Sequence, residues 1–312
     1  MKILVCGGAG FLGSAIVRAL VKEGHEVRAT MHSKDPVKVE GVKYMECDLT
    51  TRVGWGAVLD WRPEVVYGCA GKTGGSGLDP LHFVTDNALM ALQMYRSCAE
   101  FGVKRIIYMS STTGYPDSGE PMKEDDYFTG EPHPAYFNPG HTKRFIERLG
   151  QMWGHKLESV FIRVAGVYGP GSDFDPQSAH VIEATIRKVA ERQDPITVWG
   201  DGTAWRDAIH IDDLARAAVK CLEAPAGAYN LAFGFGMTVN KMISTLIKYV
   251  NLSRVVVGAN YAPKIVYDIT KPQMIQARVL DCNKAWKTLD WNAHTSMEEG
   301  ICRTLDWYEA TR

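Results

Sequence analysis

Three glycines near the N-terminus have the spacing that suits binding of a dinucleotide pyrophosphate. They are Gly7, Gly10 and Gly13. The mostly apolar segment Lys2–Cys6 precedes them and predicts a strand, and an apolar helical pattern begins at Phe11. Glycine at these positions permits a tight turn, a close approach of backbone amides to phosphate, and close packing of helix on strand. The helix start, at Phe11 and Leu12, offers free N–H groups and a partial positive charge. The stretch therefore predicts a dinucleotide-binding turn.

The end of the second predicted strand, Glu26–Met31, suits a 2′-phosphate. In sheets of this kind an acidic side chain at that end binds the ribose 2′-hydroxyl and repels a 2′-phosphate. Here the position falls at about Met31, and His32, Ser33 and Lys34 follow it. Two potential cations and a hydroxyl favour NADP through charge-assisted hydrogen bonds, with NAD as the alternative. The same residues are also typical of a solvated polar loop.

Two further strand ends complete the predicted cofactor groove. Asp48 and Leu49 follow the third strand, where the carboxylate could accept from the adenine amino group or cap the next turn. Ala70 and Gly71 follow the fourth strand, and their small side chains leave room for the second half of a dinucleotide. Because ligands bind beyond the carboxyl ends of parallel strands, these residues join the glycine turn in one predicted site.

The elements that must position these residues alternate between strand and helix. This pattern predicts an α/β protein with a doubly wound parallel (Rossmann) sheet and a smaller, helix-rich C-terminal substrate domain. We expect residues 1–165, with 206–232 returning to them, to form the dinucleotide-binding domain. Residues 166–205 and 233–312 would then form the substrate-binding domain. A helix is expected over about His141–Trp153, and Asp212 is expected to cap a later one.

Length, charge and cysteine usage argue against several classes of protein. The chain has 312 residues, a formal net charge of −1 and seven cysteines without a Cys-x-x-Cys pair. The balanced charge argues against nucleic acid or an anionic membrane as a partner. The cysteine pattern favours neither a disulfide framework nor a metal site, and the apolar runs are too short to span a bilayer. We expect a soluble, cytoplasmic protein with small-molecule ligands and no metal.

Further motifs resemble the extended short-chain dehydrogenases, the NAD(P)-dependent sugar-nucleotide epimerase/dehydratase family. They are the glycine turn, Asp48-Leu49, Ser110-Ser111 before Tyr115-Pro116, Lys143, Arg163 with Tyr168-Gly169-Pro170, and Arg206-Asp207 with His210-x-Asp212-Asp213. The resemblance extends from Met1 to about Leu231, and more faintly to the end. Within the family the chain is most similar to the GDP-L-fucose synthases, which are epimerase–reductases that use NADPH. This narrower likeness rests on Ala70–Gly75, Ser110–Pro116 and Ser178–Ile182.

The resemblance implies hydride and proton transfer at C4 of a nucleotide-linked hexose. In the family a Tyr four residues before a Lys is the acid/base, the Lys binds the nicotinamide ribose, and a Ser bonds the sugar oxygen. Lys143 and Ser111 match the Lys and Ser positions, but Pro139 stands where the Tyr is expected. The nearest Tyr is Tyr136, seven residues before Lys143. Tyr136 is therefore the candidate acid/base, and His141 or a bound water could substitute for it.

Epimerisation at C3 and C5 is less well supported than reduction at C4. The resemblance implies a Cys two residues before the Tyr-Pro pair and a His in the Ser-x-His-Val-Ile stretch. The His is present as His180, whereas Thr113 stands at the Cys position. A hydroxyl is far less acidic than a thiol, so simple reduction tolerates the change better than two-base epimerisation does.

Basic and aromatic residues of the second half are expected to bind the substrate. They are Arg206, Arg187, Lys188, Trp199 and Phe174. The cations could hold a diphosphate, and either aromatic ring could stack on a base or sugar. Each could equally be surface charge or core packing. Arg163, at the end of a strand, is expected to be a structural ion-pair partner.

The sequence thus predicts an NADP(H)-dependent oxidoreductase/epimerase acting on a nucleotide-linked hexose. Reduction at C4 of a GDP-4-keto-6-deoxysugar is the leading reaction. One alternative is an NAD-retaining sugar-nucleotide epimerase or dehydratase. Another is a non-catalytic dinucleotide-binding protein, which is suggested by Pro139 at the position where the catalytic Tyr is expected. The resemblance also implies a homodimer formed through the helices that begin near Pro80 and His141.

Overall fold

The structure, a computed structural model, is organised around a parallel sheet of seven strands within the described residues, which are 1–32, 37–72, 80–253, 260–271 and 275–312. The strands of these ranges are β1 (Lys2–Cys6), β2 (Glu26–Met31), β3 (Lys43–Glu46), β4 (Val65–Gly68), β5 (Arg105–Ser111), β6 (Glu158–Val164), β7 (Gly166–Tyr168), β8 (Ile196–Trp199), β9 (Trp205–Arg206), β10 (Ala208–His210), β11 (Gly227–Leu231), β12 (Met237–Thr238), β13 (Ile265–Asp268) and β14 (Ala277–Arg278). The central sheet has the order β11-β6-β5-β4-β1-β2-β3. β1 lies between β2 and β4, where the strand order reverses and where ligands of such sheets bind.

Helices cover both faces of this sheet. In the described ranges they are α1 (Phe11–Lys22), α2 (Arg52–Leu59), α3 (Pro80–Phe101), α4 (Phe137–Met152), α5 (Val181–Ala190), α6 (Ile211–Lys220), α7 (Val239–Ser253), α8 (Asn283–Leu289) and α9 (Met297–Ala310). α1 and α6 pack on one face through Ile16 and Leu214. α3 and α4 pack on the other through Met94 and Ile146. Sheets covered on both faces have almost wholly apolar strands, as β1 does. None of these helices has the length and apolarity needed to cross a bilayer.

A smaller, helix-rich region follows the central sheet in sequence. α5, α7 and α9 pack together around Ile186, Leu246 and Ile301, which are fully buried. Short strands accompany them: β8 pairs with β13, and β9 pairs with both β12 and β14. β11 returns to the central sheet beside β6. The predicted fold class is confirmed, whereas the division into two domains at the stated boundaries stays a prediction.

The helix α4 begins four residues before its predicted start at His141. A 3₁₀ turn over Pro134–Tyr136 leads directly into it, so the first helical residue is Phe137. Pro139 occupies the third position of the helix. A proline is tolerated there because the first N–H groups of a helix have no intrahelical partner. Pro139 therefore lies within the first turn and does not mark the start of the helix.

The predicted cap of α6, Asp212, lies inside the helix. α6 begins at Ile211, and the preceding residue, His210, is the N-cap. Its Nδ1 accepts a hydrogen bond from the Asp212 N–H at 3.3 Å. Asp212 and Asp213 instead place negative charge in the first turn, where the positive end of the helix dipole favours it.

Candidate active site

The glycine turn brings β1, α1 and the segment after β4 into contact. Gly7 has a φ of +72°, and a Cβ there would lie 2.8 Å from Ala70 Cα. A Cβ on Gly13 would lie 2.2 Å from the Gly7 carbonyl oxygen. The Gly7 N–H donates to Thr30 Oγ1 at 2.9 Å, which ties the turn to β2. Side chains do not fit at positions 7 and 13, so the turn presents bare backbone.

The start of α1 offers donors at the same turn. The first bond of the helix runs from the Ser14 N–H to the Gly10 carbonyl at 2.9 Å. The N–H groups of Phe11 and Leu12 lie ahead of that bond, and the first turn contains no acidic residue. Backbone donors at the positive end of a helix fit an anion, so this cradle fits the pyrophosphate of a dinucleotide.

The end of β2 is only partly described. His32 directly follows Met31 and is exposed. Ser33 and Lys34, the other two residues of the predicted 2′-phosphate site, lie outside the described residues. The position where a family carboxylate would discriminate against a 2′-phosphate is occupied by the thioether of Met31. The described part of this strand end therefore carries a basic side chain and no acid.

Asp48 is held as a carboxylate after β3. It accepts hydrogen bonds from the Thr50 hydroxyl at 2.6 Å and from the Thr50 N–H at 2.8 Å. These bonds, and more weakly His32 and Lys72, hold the pKa of Asp48 below its usual value. The carboxylate is exposed and can accept from a ligand, whereas the side chain of Leu49 is buried in the core.

Asn87 on α3 fixes the segment that follows β4. Its amide accepts from the Lys72 N–H at 2.9 Å and donates to the Lys72 carbonyl at 3.1 Å. A Cβ on Gly71 would lie 3.3 Å from the same amide oxygen. Ala70 touches the glycine turn at Gly7. The predicted cofactor residues Ala70 and Gly71 are therefore brought beside the pyrophosphate cradle.

Ser111 is the end of β5, and the ammonium of Lys143 is bound against the same strand. Ser111 is the last residue of the strand, and its Oγ accepts from the Thr113 N–H at 3.1 Å. Lys143 reaches from α4 and donates to the Met109 carbonyl at 2.8 Å and to the Tyr108 hydroxyl at 3.0 Å. One hydroxyl and one ammonium are thus presented at the strand end. Such a pair can orient an oxygen and stabilise negative charge that develops on it.

A buried ion pair behind these groups joins α4 to β6. Arg163 Nη2 lies 2.7 Å from Glu147 Oε2, and the two side chains are 3% and 0% exposed. Ser110 on β5 donates to Glu147 Oε1 at 2.5 Å, and the Arg163 guanidinium lies 3.7 Å from the ring centre of Tyr127. Arg163 is therefore the structural ion-pair partner that the sequence predicts. The pair anchors α4, and with it Lys143, against the sheet.

Neither Tyr136 nor His141 is hydrogen-bonded to Lys143 in the described structure. Tyr136 is the N-cap residue of α4, and the Arg278 guanidinium lies 4.2 Å from the centre of its ring. His141 Nε2 lies 2.9 Å from Glu131 Oε2. Because a helix turns about 100° per residue, His141 and Lys143 are about 200° apart around α4. Both side chains are therefore engaged away from the ammonium.

Two guanidinium groups lie side by side on the small sheet. β9 and β14 pair with Arg206 opposite Arg278, and residues paired in this way project from the same face. Burial lowers the pKa of both guanidinium groups, and Tyr136 lies close enough to oppose that shift in each. Within the described ranges neither forms an ion pair with a carboxylate. Arg278 is not among the residues predicted from the sequence, because a two-residue strand leaves no periodic signal.

The remaining predicted residues of α5 have local contacts. His180 is the exposed N-cap of the helix, and its side chain makes no capping bond. Arg187 pairs with Glu191 at 3.5 Å, and Lys188 donates to the Thr197 carbonyl at 2.7 Å. Burial lowers the pKa of Lys188. No contact in the described structure joins Arg187 or Lys188 to Arg206.

The other substrate candidates differ in their surroundings. Trp199 is 66% exposed, and Lys271 Nζ lies 5.4 Å from its ring centre. Phe174 stacks on Tyr308 of α9 with ring centres 4.5 Å apart, so core packing explains it. Thr113 Oγ1 is buried and has no hydrogen-bond partner within the described structure. Trp199 is thus the aromatic ring open to a ligand.

The structure also has a cleft that is lined by other residues. It has a volume of about 380 Å³ and is lined by Phe233, Phe235, Trp286 and Asp290–Ala293. None of the predicted site residues lines it. In the part of the chain that is described, no group of three His, Cys, Asp or Glu side chains has a metal-binding arrangement. The cradle and strand ends described above remain the site that the sequence motifs define.

The chain is similar to known proteins over almost its whole length. The NAD dependent epimerase/dehydratase family matches residues 3–232. The GDP-L-fucose synthase 1 of Arabidopsis thaliana is 28% identical over 320 residues, which cover 98% of this chain and 93% of that protein. The UDP-glucuronate 4-epimerase of Thermodesulfobacterium geofontis is 27% identical, with 97% and 95% covered. The UDP-glucose 4-epimerase structure from Thermotoga maritima is similar with a TM-score of 0.88 at 25% identity, covering 100% of this chain and 99% of that one. The chain belongs to the NAD dependent epimerase/dehydratase family.

Proposed function

We propose that this protein is an NADP(H)-dependent oxidoreductase that reduces C4 of a GDP-4-keto-6-deoxyhexose. The observation that carries the proposal is that β5 ends in Ser111 and binds the ammonium of Lys143, in a sheet whose glycine turn fits a dinucleotide. The similarity to a GDP-L-fucose synthase over almost the whole chain supports a GDP-linked substrate. The similarity to UDP-sugar epimerases supports nucleotide sugars as a class.

The cofactor would be held by backbone at one end and by side chains at the other. The N–H groups of Phe11 and Leu12 would bind the pyrophosphate, and Asp48 would accept from the adenine amino group. Lys143 would bind the hydroxyls of the nicotinamide ribose. When bound, the nicotinamide supplies a hydride to the substrate carbon. His32, together with the missing acid at Met31, supports NADP, and NAD is the alternative.

The substrate diphosphate would be bound by the paired guanidinium groups of Arg206 and Arg278. Each can donate two parallel hydrogen bonds to phosphate oxygens. Trp199 would stack on the base. Tyr136, just before the first residue of α4, contacts Arg278, and Lys143 follows it by about two helical turns. The first two turns of α4 therefore connect the diphosphate subsite with the reacting end.

At the reacting end, Ser111 would orient the C4 carbonyl oxygen, and Lys143 would stabilise the negative charge that develops there. As the carbonyl becomes an alcohol, its oxygen needs one proton. We assign that proton to a water bound between Ser111 and Lys143, because Tyr136 and His141 have other partners. The hydroxide left behind takes up a proton from bulk solvent, so each reduction consumes one proton overall.

The site supports reduction better than epimerisation at C3 and C5. Thr113 offers a buried hydroxyl where a thiol would be needed. His180 is exposed at the start of α5 and has no described contact with Ser111 or Lys143. Simple reduction at C4 needs neither group.

The experiment is a cofactor assay with a panel of GDP- and UDP-linked hexoses and their 4-keto-6-deoxy derivatives. Loss of the reduced-nicotinamide absorbance should depend on a GDP-4-keto-6-deoxyhexose and be faster with NADPH than with NADH. No change with any sugar nucleotide would contradict the proposal. NAD released from the purified protein on denaturation would instead favour the cofactor-retaining epimerase or dehydratase.

Pro139 favours a second candidate function, a non-catalytic dinucleotide-binding protein. It occupies the position on α4 where the family acid/base belongs, one turn before Lys143. The two functions differ in their response to substitution. In a reductase, Ser111→Ala and Lys143→Met should each lower turnover by about 10²-fold or more. In a binding protein, which has no turnover to lose, Ser111→Ala should leave the dinucleotide affinity unchanged.

The outer faces of α3 and α4 support a homodimer. Leu81, Leu89 and Leu92 of α3 are exposed, as are Phe145 and Met152 of α4. Spacings of eight, three and seven residues keep each set on one face of its helix. Apolar side chains grouped in this way are typical of a protein interface. Light scattering should give twice the chain mass for the wild type. Charged substitutions at Leu92 and Phe145 should lower the measured mass to that of the monomer.

A further inference from the structure

Tyr136, which directly precedes α4, contacts one of the two paired arginines. The Arg278 guanidinium lies over its ring, 4.2 Å from the ring centre. Arg206 is near enough for Tyr136 to influence its ionisation. Register explains this grouping, since Arg206 and Arg278 are opposite each other on β9 and β14.

Among the residues that the structure describes, the two guanidinium groups have no counter-charge. Arg206 Nη1 donates to the carbonyls of Trp205 and Ile275, both at 2.8 Å, which orients the group and leaves its charge unneutralised. Arg278 Nε is buried and has no acceptor within the described structure. Two like charges side by side repel each other, and removal from water adds to the cost. A ligand with several anionic oxygens would relieve both effects.

Lys143, by contrast, already has a phenol partner. Its Nζ donates to the Tyr108 hydroxyl at 3.0 Å. Tyr136 is seven residues earlier, just before the first residue of α4, and seven residues correspond to about 10 Å along a helix axis. The family acid/base stands four residues before its Lys, or about 6 Å. Tyr136 is therefore too far along α4 to replace that residue without leaving Arg278.

We propose that Tyr136 is a binding residue of the substrate diphosphate and not the proton donor at C4. Its hydroxyl donates to a diphosphate oxygen, while its ring holds the Arg278 guanidinium over the same anion. Three donors, on α4, β9 and β14, then enclose the diphosphate. This inference rests on the proposed function and revises the role that the sequence favours for Tyr136.

A consequence is selectivity for a diphosphate over a monophosphate. One phosphate group can satisfy one guanidinium, whereas two bridged groups reach both arginines and the phenol. The protein should therefore bind GDP more tightly than GMP. Part of that difference should depend on the Tyr136 hydroxyl.

The test is calorimetric binding of GDP and GMP to the wild type, Tyr136→Phe and Tyr261→Phe. Tyr261 is a matched control, because its ring also lies near a guanidinium, that of Arg192 at 5.3 Å, away from the site. We expect Tyr136→Phe to weaken GDP binding about 10- to 150-fold and GMP binding less than 2-fold, since a hydrogen bond to a charged group contributes on this scale. Tyr261→Phe should change neither affinity.

Turnover provides the second measurement. With a GDP-4-keto-6-deoxyhexose, Tyr136→Phe should raise KM and leave kcat and its pH profile within about 2-fold. Unchanged GDP affinity together with a kcat at least 100-fold lower, or loss of one limb of the pH profile, would overturn the inference and restore Tyr136 as the acid/base. A wild type that binds neither GDP nor UDP would overturn the proposed function itself, and the inference with it.

Discussion

Lys143 owes its position to two acceptors, the Met109 carbonyl and the Tyr108 hydroxyl. Both belong to β5, so the ammonium is fixed relative to Ser111 before any ligand arrives. Replacement by Met keeps most of the side-chain volume and removes the charge. We expect Lys143→Met to lower kcat by about 10²- to 10³-fold, because one preorganised electrostatic contact to a developing oxyanion contributes on this scale.

Steady-state kinetics and NADPH binding would check this prediction. Lys284→Met is a suitable control. Lys284 lies on α8 and, like Lys143, donates to a backbone carbonyl, that of Ala228 at 2.8 Å. The control should retain its kcat. A Lys143→Met enzyme with an unchanged kcat would show that the ammonium takes no part in the chemistry.

Glu183 is a buried carboxyl without a cation partner in the described ranges. It lies in the first turn of α5, is 3% exposed and has Ser172 as a hydrogen-bonding neighbour. Burial raises its pKa from 4.5 to about 7. The folded protein therefore holds this proton more tightly than the unfolded chain does. Its contribution to stability is present below about pH 4.5 and is lost as the pH rises to about 7.

Glu183→Gln removes this titration and keeps the shape of the side chain. Relative to the wild type, the variant should gain stability between pH 5 and pH 8, by on the order of 1–3 kcal/mol. Urea unfolding at the two pH values measures the difference. Glu299→Gln, at an exposed first-turn position of α9, should show no such gain. A Glu183→Gln effect that is the same at both pH values would mean that the carboxyl is already ionised at pH 5.

At the scale of the elements, the position of α4 determines where Lys143 and Tyr136 lie. The ion pair between Glu147 on α4 and Arg163 on β6 is almost completely buried. Removing one member leaves the other charge without a partner in a place that water does not reach. We expect Glu147→Gln to destabilise the fold by about 3–5 kcal/mol.

The matched control is Glu158→Gln, which breaks the pair between Glu158 and Arg105. The Glu158 side chain is 60% exposed, so its loss should cost less than about 1 kcal/mol. Denaturant unfolding of the two variants would compare them directly. Similar losses in both would indicate that the buried pair contributes no more than a surface pair does.

The glycine turn shows how much an element can be predicted from its sequence. β1, the turn and α1 follow from a short apolar run, three spaced glycines and a helical pattern. The start of α4 was predicted too late, at about His141, because the residue before a proline is disfavoured in the helical conformation. The preceding turn at Pro134–Tyr136 leads into the helix and outweighs that preference. The preceding 3₁₀ turn therefore determines where the helix begins, and the conformational preference of the residue before Pro139 does not.

At the scale of the whole molecule, the alternation of strands and helices was enough to predict the doubly wound sheet. Arg278 could not be found in this way. It joins Arg206 through the pairing of two-residue strands far apart in the sequence, and such pairing depends on the completed fold. The same holds for the contact between Tyr136 and Arg278, on which the proposed diphosphate role of Tyr136 rests. Residues that act through tertiary proximity need the structure, whereas those within one motif do not.

Reduction at C4 without proton exchange at C3 and C5 distinguishes the proposed enzyme from an epimerase–reductase. The direct measurement is a reaction of a GDP-4-keto-6-deoxyhexose with NADPH in deuterium oxide, followed by NMR of the product and corrected by an enzyme-free control. With Thr113 in place of a thiol and His180 exposed, we expect a reduced sugar with no enzyme-dependent deuterium at C3 or C5. Deuterium at both carbons, or no reduced sugar at all, would contradict the proposed function.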